Sequence, residues 1–335
     1  MRTRTVEQLV ADAGGTGRPM VIGVRTPDGT RYWSRGPLPD GAASLFEIGS
    51  VTKTVTATLL ALLAREGTVA YDDPAAAYLP AAPPVVGRPI TLADLATHHS
   101  GLPRLPSGLL LAGLTRDRRD PYARLDEERL AQAVRETTPT RPPGEKLAYS
   151  NLGAGLLGLA LARAAGTSYA GLVAARVTGP LGLVDTAVTT PPGAEHRLVP
   201  GHGFWGRETG RWDMAALAGA GGLCSTAADV LDLLALHAPG ATGSLAEAAR
   251  ETAVPRHPVG SGLSIGLAWL VLAGGAGPAR FRLPHDVLWH DGGTGGYRSF
   301  AAVVPATGAS VVVLSAQARG VTGLGLQLVR ALTCG

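Results

Sequence analysis

Cysteine is almost missing from this chain. Cys224 and Cys334 are the two in 335 residues, too few for a disulfide framework or a zinc cage. Aromatic residues make up 5% and charged residues 17%, and so few charges exclude a long coiled coil. With 45% apolar residues the chain has the material for a sizeable core, which excludes intrinsic disorder. Glycine (46) and proline (25) are plentiful but follow no period, so the chain is not collagenous. Long apolar runs are missing too. Leu59–Ala64 and Leu156–Ala162 fall far short of the roughly 20 residues that cross a bilayer. The stretch from Met1 to Val10 lacks an apolar signal core and reads as the start of an amphipathic helix, so the expectation is a cytoplasmic chain with no membrane partner. No block of one charge sign appears. The net charge is +4, and the densest basic cluster, Arg116, Arg118 and Arg119, is interrupted by Asp117 and Asp120. That is a solvated loop, and it excludes a nucleic-acid partner.

The histidines form no ligand set. His98 and His99 are adjacent, and His196, His202, His237, His257 and His285 show no paired spacing, so neither a metal nor a cofactor is expected. Cys224 reads as a small buried residue.

The length fits one large domain or two intimately packed ones. Met20–Arg25 and Thr30–Ser34 predict a hairpin around Pro27-Asp28-Gly29. Val51–Arg65 predicts a helix, apolar nearly all round and therefore buried, stopped at Gly67. Between about 68 and 235, helical segments (Leu92–Thr97, Asp126–Glu136, Asn151–Ala165, Tyr169–Val177, Thr226–His237) alternate with loops. After Gly262, strands are predicted at Ser264–Leu272, Val287–Trp289, Ser299–Val304 and Ser310–Leu314, with a closing helix at Gly323–Leu332. The simplest assembly is α+β: one antiparallel sheet made from both ends of the chain and flanked by the first and last helices. Residues 1–67 and 255–335 would build this sheet domain, and residues 68–254 an inserted, mostly helical one.

Three stretches carry residues suited to chemistry. In Gly49-Ser50-Val51-Thr52-Lys53, the serine opens a buried helix and the lysine lies one turn on, on the same face. A lysine is costly to bury charged, so its pKa should fall or it must find a partner, and a lysine held this way can take or relay the serine's proton. The plainer reading makes Ser50 an N-cap and lets Lys53 reach solvent. In Tyr149-Ser150-Asn151, at a loop-to-helix junction, Ser150 or Asn151 suits an N-cap. Functionally, a tyrosine beside a cationic lysine could ionise below about 10 and act as a base, with Asn151 orienting the lysine and a substrate oxygen. In Trp289-His290-Asp291-Gly292-Gly293, a strand ends in glycines that admit close backbone approach. Their N–H groups, with that of Ser50, could stabilise an oxyanion; a plain glycine-rich turn is the alternative.

Together, Ser-x-x-Lys, Tyr-x-Asn about a hundred residues on and a glycine-ending strand near the C-terminus resemble the penicillin-recognising serine enzymes. The tyrosine resembles the class C branch: class C β-lactamases, DD-peptidases, family VIII carboxylesterases and related transacylases. The likeness runs nearly end to end, through Asp72-Asp73-Pro74, Ile90–Pro103, Gly179–Leu183 and Gly221–Asp229. It implies a sheet domain and an all-helical domain with the site between them. It also implies Ser50 as acylated nucleophile, Lys53 as its proton partner, and Tyr149 as the base in acylation and the activator of the acceptor in deacylation. Asn151 would bind substrate, and the N–H groups of Ser50 and Gly293 would form the oxyanion hole.

Where β-lactamases usually carry Lys-Thr-Gly, this chain has His290-Asp291-Gly292. A histidine, mostly neutral at pH 7, grips an anion weakly, and an Asp291 facing the cleft would repel a substrate carboxylate. The expectation is therefore an esterase, amidase or transacylase acting on a small ester, thioester or amide, with water, an amine or an alcohol as acceptor. The alternatives are a β-lactamase or D-amino-acid-specific peptidase, and a non-catalytic binding protein on the same scaffold. Trp205, beside Phe204, and Trp212 and Trp289 are expected to wall an acyl pocket, and Leu105–Arg119 to form a lid; packing within loops is the alternative for both.

Overall fold

The computed structural model describes residues 4–13, 17–106, 120–276 and 282–334. Most of the expected lid segment, together with Arg116, Arg118 and Arg119, lies outside the described residues.

The first helix, Val6–Ala13, leads into the hairpin β1 (Met20–Thr26) and β2 (Gly29–Arg35). A short β3 (Phe46–Glu47) then runs into the long helix Thr52–Arg65. Helices and turns fill the chain as far as Thr252, with β4 (Cys224–Ser225) among them. The chain then returns through β5 (His257–Gly260), β6 (Leu263–Ile265), β7 (Leu270–Leu272), β8 (Val287–Gly293), β9 (Arg298–Val303) and β10 (Ser310–Ser315). The helix Thr322–Cys334 closes it. Eight strands form one sheet in the order β2-β1-β10-β9-β8-β7-β6-β5, and β3 pairs with β4 apart from it. Every pairing is antiparallel, so the two ends of the chain share one α+β sheet.

Strand alternation divides the core. Met20, Ile22 and Val24 face the two terminal helices and pack with Leu9, Val10, Leu328 and Val329. Val21, Ala301, Val312 and Leu314 point the other way, into a larger core shared with the inserted helices. A period of two accounts for the split, and β10, covered on both faces, is buried throughout. Lys53 to Leu63 of the long helix are all buried, as its all-round apolar pattern predicts. Among the described residues, no single helix is long and apolar enough to cross a membrane; one bent pair, Asn151–Ala164 with Tyr169–Leu181, passes by length and composition.

Two local expectations need correction. Ser264–Leu272 is a tight hairpin, not one strand: Ile265 pairs with Leu270. A side chain on Gly266 would lie 2.3 Å from the Thr252 carbonyl oxygen, so this run is held by backbone packing that an extended strand would break. The helix Ser244–Thr252 was not expected; its mixture of small and charged residues carries a weak apolar pattern.

Candidate active site

The serine is delivered by a clamped segment. Before it, the Ile48 N–H donates to the Leu223 carbonyl (3.0 Å), while the Ser299 hydroxyl donates to the Ile48 carbonyl (2.7 Å). Gly49 then takes a left-handed φ of 49°, and Gly49–Val51 form a 3-10 turn ahead of the helix. The N-cap is Val51, with no side-chain cap. The Ser50 hydroxyl is therefore not used in capping and is available for other partners.

The glycine end of β8 lies directly against this turn. A side-chain carbon on Gly292 would sit 2.2 Å from the Ile48 carbonyl oxygen and 3.0 Å from the Ser50 nitrogen. One on Gly49 would sit 2.6 Å from the Gly293 nitrogen. The backbones meet where the two N–H groups expected to form an oxyanion hole belong. Gly292→Ala is expected to force them apart, costing about 1–3 kcal/mol of stability and about 10²-fold in acylation rate. Urea melts and stopped-flow acylation would measure both; a fully active, fully stable variant would show that this contact is dispensable.

Lys53 is 2% exposed. Its Nζ donates to the Ala220 carbonyl (2.6 Å) and to Asn151 Oδ1 (2.9 Å), and lies 3.0 Å from Ser50 Oγ. Burial, with the Arg104 charge as a second cause, holds the amine well below the ordinary lysine range. The Tyr149 hydroxyl lies 2.7 Å from Ser50 Oγ. Burial pushes it up to about 12, while its bond to Ser50 and the Arg104 charge pull the other way. The expectation of a tyrosine lowered by a cationic lysine is thus corrected: burial acts in the other direction on both groups, lowering the amine and raising the phenol.

The helix Asn151–Ala164 explains the spacing of Tyr-x-Asn. Ser150 is its N-cap, accepting from the Gly153 N–H (2.9 Å). The cap turns Tyr149 and Asn151 toward the serine from either side of it.

Three neighbours were not picked out from sequence. His98, buried and at a left-handed φ of 58°, accepts the Ser150 N–H at Nδ1 (3.3 Å), and its ring lies 4.5 Å from that of Tyr149. Burial, then the Lys53 charge, holds it well below the usual histidine range. It therefore props the Tyr149–Asn151 segment as a neutral ring. The Arg104 guanidinium lies 5.2 Å from the Tyr149 ring centre. Tyr122 is buried, interacts with the Asn151 side chain, and packs edge-on against Trp212 at 5.3 Å. Trp212 thus reaches the site's surroundings through Tyr122.

Of the remaining expected site residues, His290 joins the cluster and two tryptophans do not. His290 is buried, its Nδ1 is 2.6 Å from the Asp291 carbonyl, and burial with the nearby Lys53 charge pulls it down to about 4. Trp289 stacks on Phe300 at 6.0 Å and packs with the terminal-helix core. It is on the far face of the sheet and lines no pocket at Ser50. Asp291 shares that face: its carboxylate accepts from the Thr322 hydroxyl (2.7 Å) on the last helix. The expected repulsion of a substrate carboxylate therefore has no cleft-facing carboxylate behind it. Trp205 is 86% exposed, touching Phe204 edge-on, and walls no pocket.

A nucleophile-bearing turn at the junction of sheet and helices, with a buried amine and a phenol at hydrogen-bonding distance from its hydroxyl, defines an active-serine hydrolase. The chain belongs to the Beta-lactamase family, which it matches over residues 5–332. It is 32% identical over 292 residues to the D-alanyl-D-alanine-carboxypeptidase/endopeptidase AmpH of Escherichia coli, covering 81% of this chain and 71% of that one. A Beta-lactamase of Pseudomonas fluorescens is 27% identical over 307 residues, covering 84% and 81% respectively. Among solved structures, the Beta-lactamase/D-alanine Carboxypeptidase from Yersinia pestis, complexed with citrate, superposes with a TM-score of 0.78 at 27% identity. The match covers 98% of this chain and 95% of that one.

Proposed function

We propose that this enzyme cleaves small esters or amides through an acyl-enzyme on Ser50, passing the acyl group to water or to an amine or alcohol acceptor. The observation that carries this reading is the surroundings of Lys53 Nζ. A neutral amine has two N–H bonds and one lone pair. Nζ has three oxygen partners, the Ala220 carbonyl, Asn151 Oδ1 and Ser50 Oγ. In the neutral form that its lowered pKa favours, the first two accept its N–H bonds and the lone pair meets Ser50.

In acylation, Ser50 Oγ attacks the substrate carbonyl carbon and its proton passes to Lys53. The N–H groups of Ser50 and Gly293 hold the resulting oxyanion. As the carbonyl re-forms and the bond to the leaving group breaks, the Tyr149 hydroxyl gives its proton to the leaving atom. The acyl-enzyme then carries a Lys53 ammonium and a Tyr149 phenolate. In deacylation the acceptor gives its proton to that phenolate as it attacks, and the ammonium returns the serine's proton as Ser50 leaves. Each group ends as it began. Tyr149 thus serves as acid in the first half and base in the second.

His290, neutral near pH 7, removes the ammonium that would hold a carboxylate at that position of β8, which favours esters over amides that depend on that one grip. A second reading, as a D-alanyl carboxypeptidase or β-lactamase, is supported by Asp291 facing away from the cleft and by the activities named for the relatives in Escherichia coli and Pseudomonas fluorescens. A side-by-side assay separates the two: a p-nitrophenyl acyl ester, a D-alanyl-D-alanine peptide and a chromogenic cephalosporin, each with intact-protein mass. The first reading predicts an ester kcat/KM at least tenfold above the other two. A cephalosporin or peptide rate equal to the ester rate would replace it with the second.

A further inference from the structure

We infer that Arg104 forms an anion-binding subsite beside Tyr149 and selects substrates carrying a carboxylate away from the scissile bond. This rests on Ser50 being the acylated nucleophile and adds the substrate's charge.

Position comes first. The Arg104 backbone is pinned at the start of the Tyr149–Asn151 helix, where its carbonyl accepts from the N–H groups of Asn151 (3.0 Å) and Leu152 (3.2 Å). From this anchor its exposed side chain reaches out to the Tyr149 ring, while buried Lys53 lies 4.9 Å from the same ring centre. An exposed guanidinium and a buried amine thus flank the ring whose hydroxyl meets Ser50 Oγ.

Availability comes second. Among the described residues Arg104 has no carboxylate within ion-pair distance, whereas Arg88 holds Asp94 and Arg197 holds both Asp40 and Asp185. Arg298, the other arginine near the glycine end of β8, gives its guanidinium to the carbonyls of Thr294 and Tyr297. His290 is uncharged near neutrality, and Asp291 faces the last helix. Among the described residues, then, Arg104 is a cation with no carboxylate partner, near a histidine that is neutral where β-lactamases usually carry a lysine.

Its charge also reaches into the site, being among the causes that shift Lys53, Tyr149, Tyr122 and His98. A substrate carboxylate meeting the guanidinium would form a charge-assisted, bidentate contact that a methyl group of the same size cannot make.

The test is a matched pair of esters, mono-p-nitrophenyl glutarate and p-nitrophenyl pentanoate, which differ by a carboxylate in place of a terminal methyl. The wild type is expected to prefer the glutarate. Arg104→Gln is expected to lower kcat/KM for the glutarate about 10–100-fold more than for the pentanoate, mostly through KM. Arg104→Lys should keep part of the preference, Arg104→Glu should invert it, and added salt should weaken it in the wild type. Equal losses on both esters, or a preference that survives charge reversal, would overturn the subsite while leaving acyl transfer intact. No Ser50 adduct from either ester in the wild type would overturn the acyl-transfer reading and the subsite with it.

Discussion

Ser50→Ala is expected to fold as the wild type does and to form no acyl adduct, with turnover down about 10⁴–10⁶-fold. The fold should survive because the hydroxyl caps nothing: the helix begins at Val51 without a side-chain cap, and the clamp on Ile48 comes from the Leu223 and Ser299 backbone and side chain. The loss should be near total because the other nucleophilic groups described near the serine are held back, Lys53 being 2% exposed with its Nζ bound to Ala220 and Asn151. Tyr149, pushed up to about 12, is protonated, and buried Cys224, raised to about 11, is inert as a thiol and sits in the β3–β4 ladder behind the serine. Intact mass after mixing with an activated ester reads this directly. An adduct of normal yield on the alanine variant would move the nucleophile elsewhere and remove the basis of the mechanism.

The second large effect belongs to the proton carriers. Tyr149→Phe should lower kcat by about 10²–10⁴-fold, more for amides than for p-nitrophenyl esters, whose leaving group needs no proton. The phenyl ring would keep its packing on His98, so thermal stability should change little. The wild-type pH profile has a defined sign. Lys53 must be neutral to accept the serine proton, so activity should rise with pH through its lowered pKa and then hold until Tyr149 ionises near 12. Stability should follow the same direction. Between the folded and unfolded lysine values the unfolded chain binds more protons, so stability from this group rises with pH across that window. A profile flat through the acid limb, or a phenylalanine variant with unchanged amide turnover, would mean that the proton travels by another route.

Much of this was legible in residue order. A serine and a lysine one helical turn apart share a face whatever surrounds them, and a helix apolar on every side has to be buried. A lysine that must shift its pKa downward or find a partner follows from those two facts. A helix cap was likewise legible at Ser150 or Asn151; the fold gives it to Ser150, which leaves Tyr149 and Asn151 for other work. Strand parity was legible as well and shows where the tryptophan expectation failed. In β8, Trp289 and His290 are adjacent, so they point to opposite faces, and only one of them can look into the cleft. The same parity puts Asp291 with Trp289. Which face holds the cleft depends on what packs there: the Ser50 turn on one side, and the last helix with Thr322 on the other.

His98, Arg104 and Tyr122 could not be picked out in the same way. His98 lies in the stretch Ile90–Pro103 that carries the likeness, but nothing local gives it, Arg104 or Tyr122 a part in the site. Their parts come from partners elsewhere in the chain: Ser150 for His98, the Tyr149 ring for Arg104, and Asn151 and Trp212 for Tyr122. The state of the tyrosine was misjudged for a related reason. Proximity to a lysine argues for a phenolate only if the lysine is charged, and burial decides that for both groups at once. Local order, through periodicity, capping and one-turn spacing, was enough to settle the elements of the fold and the serine–lysine pair, because those depend on the bonded geometry of a few neighbouring residues. The directions of the pKa shifts and the face of the sheet that meets the Ser50 turn were settled only in the folded chain, because desolvation and charge act through space between residues tens to hundreds of positions apart.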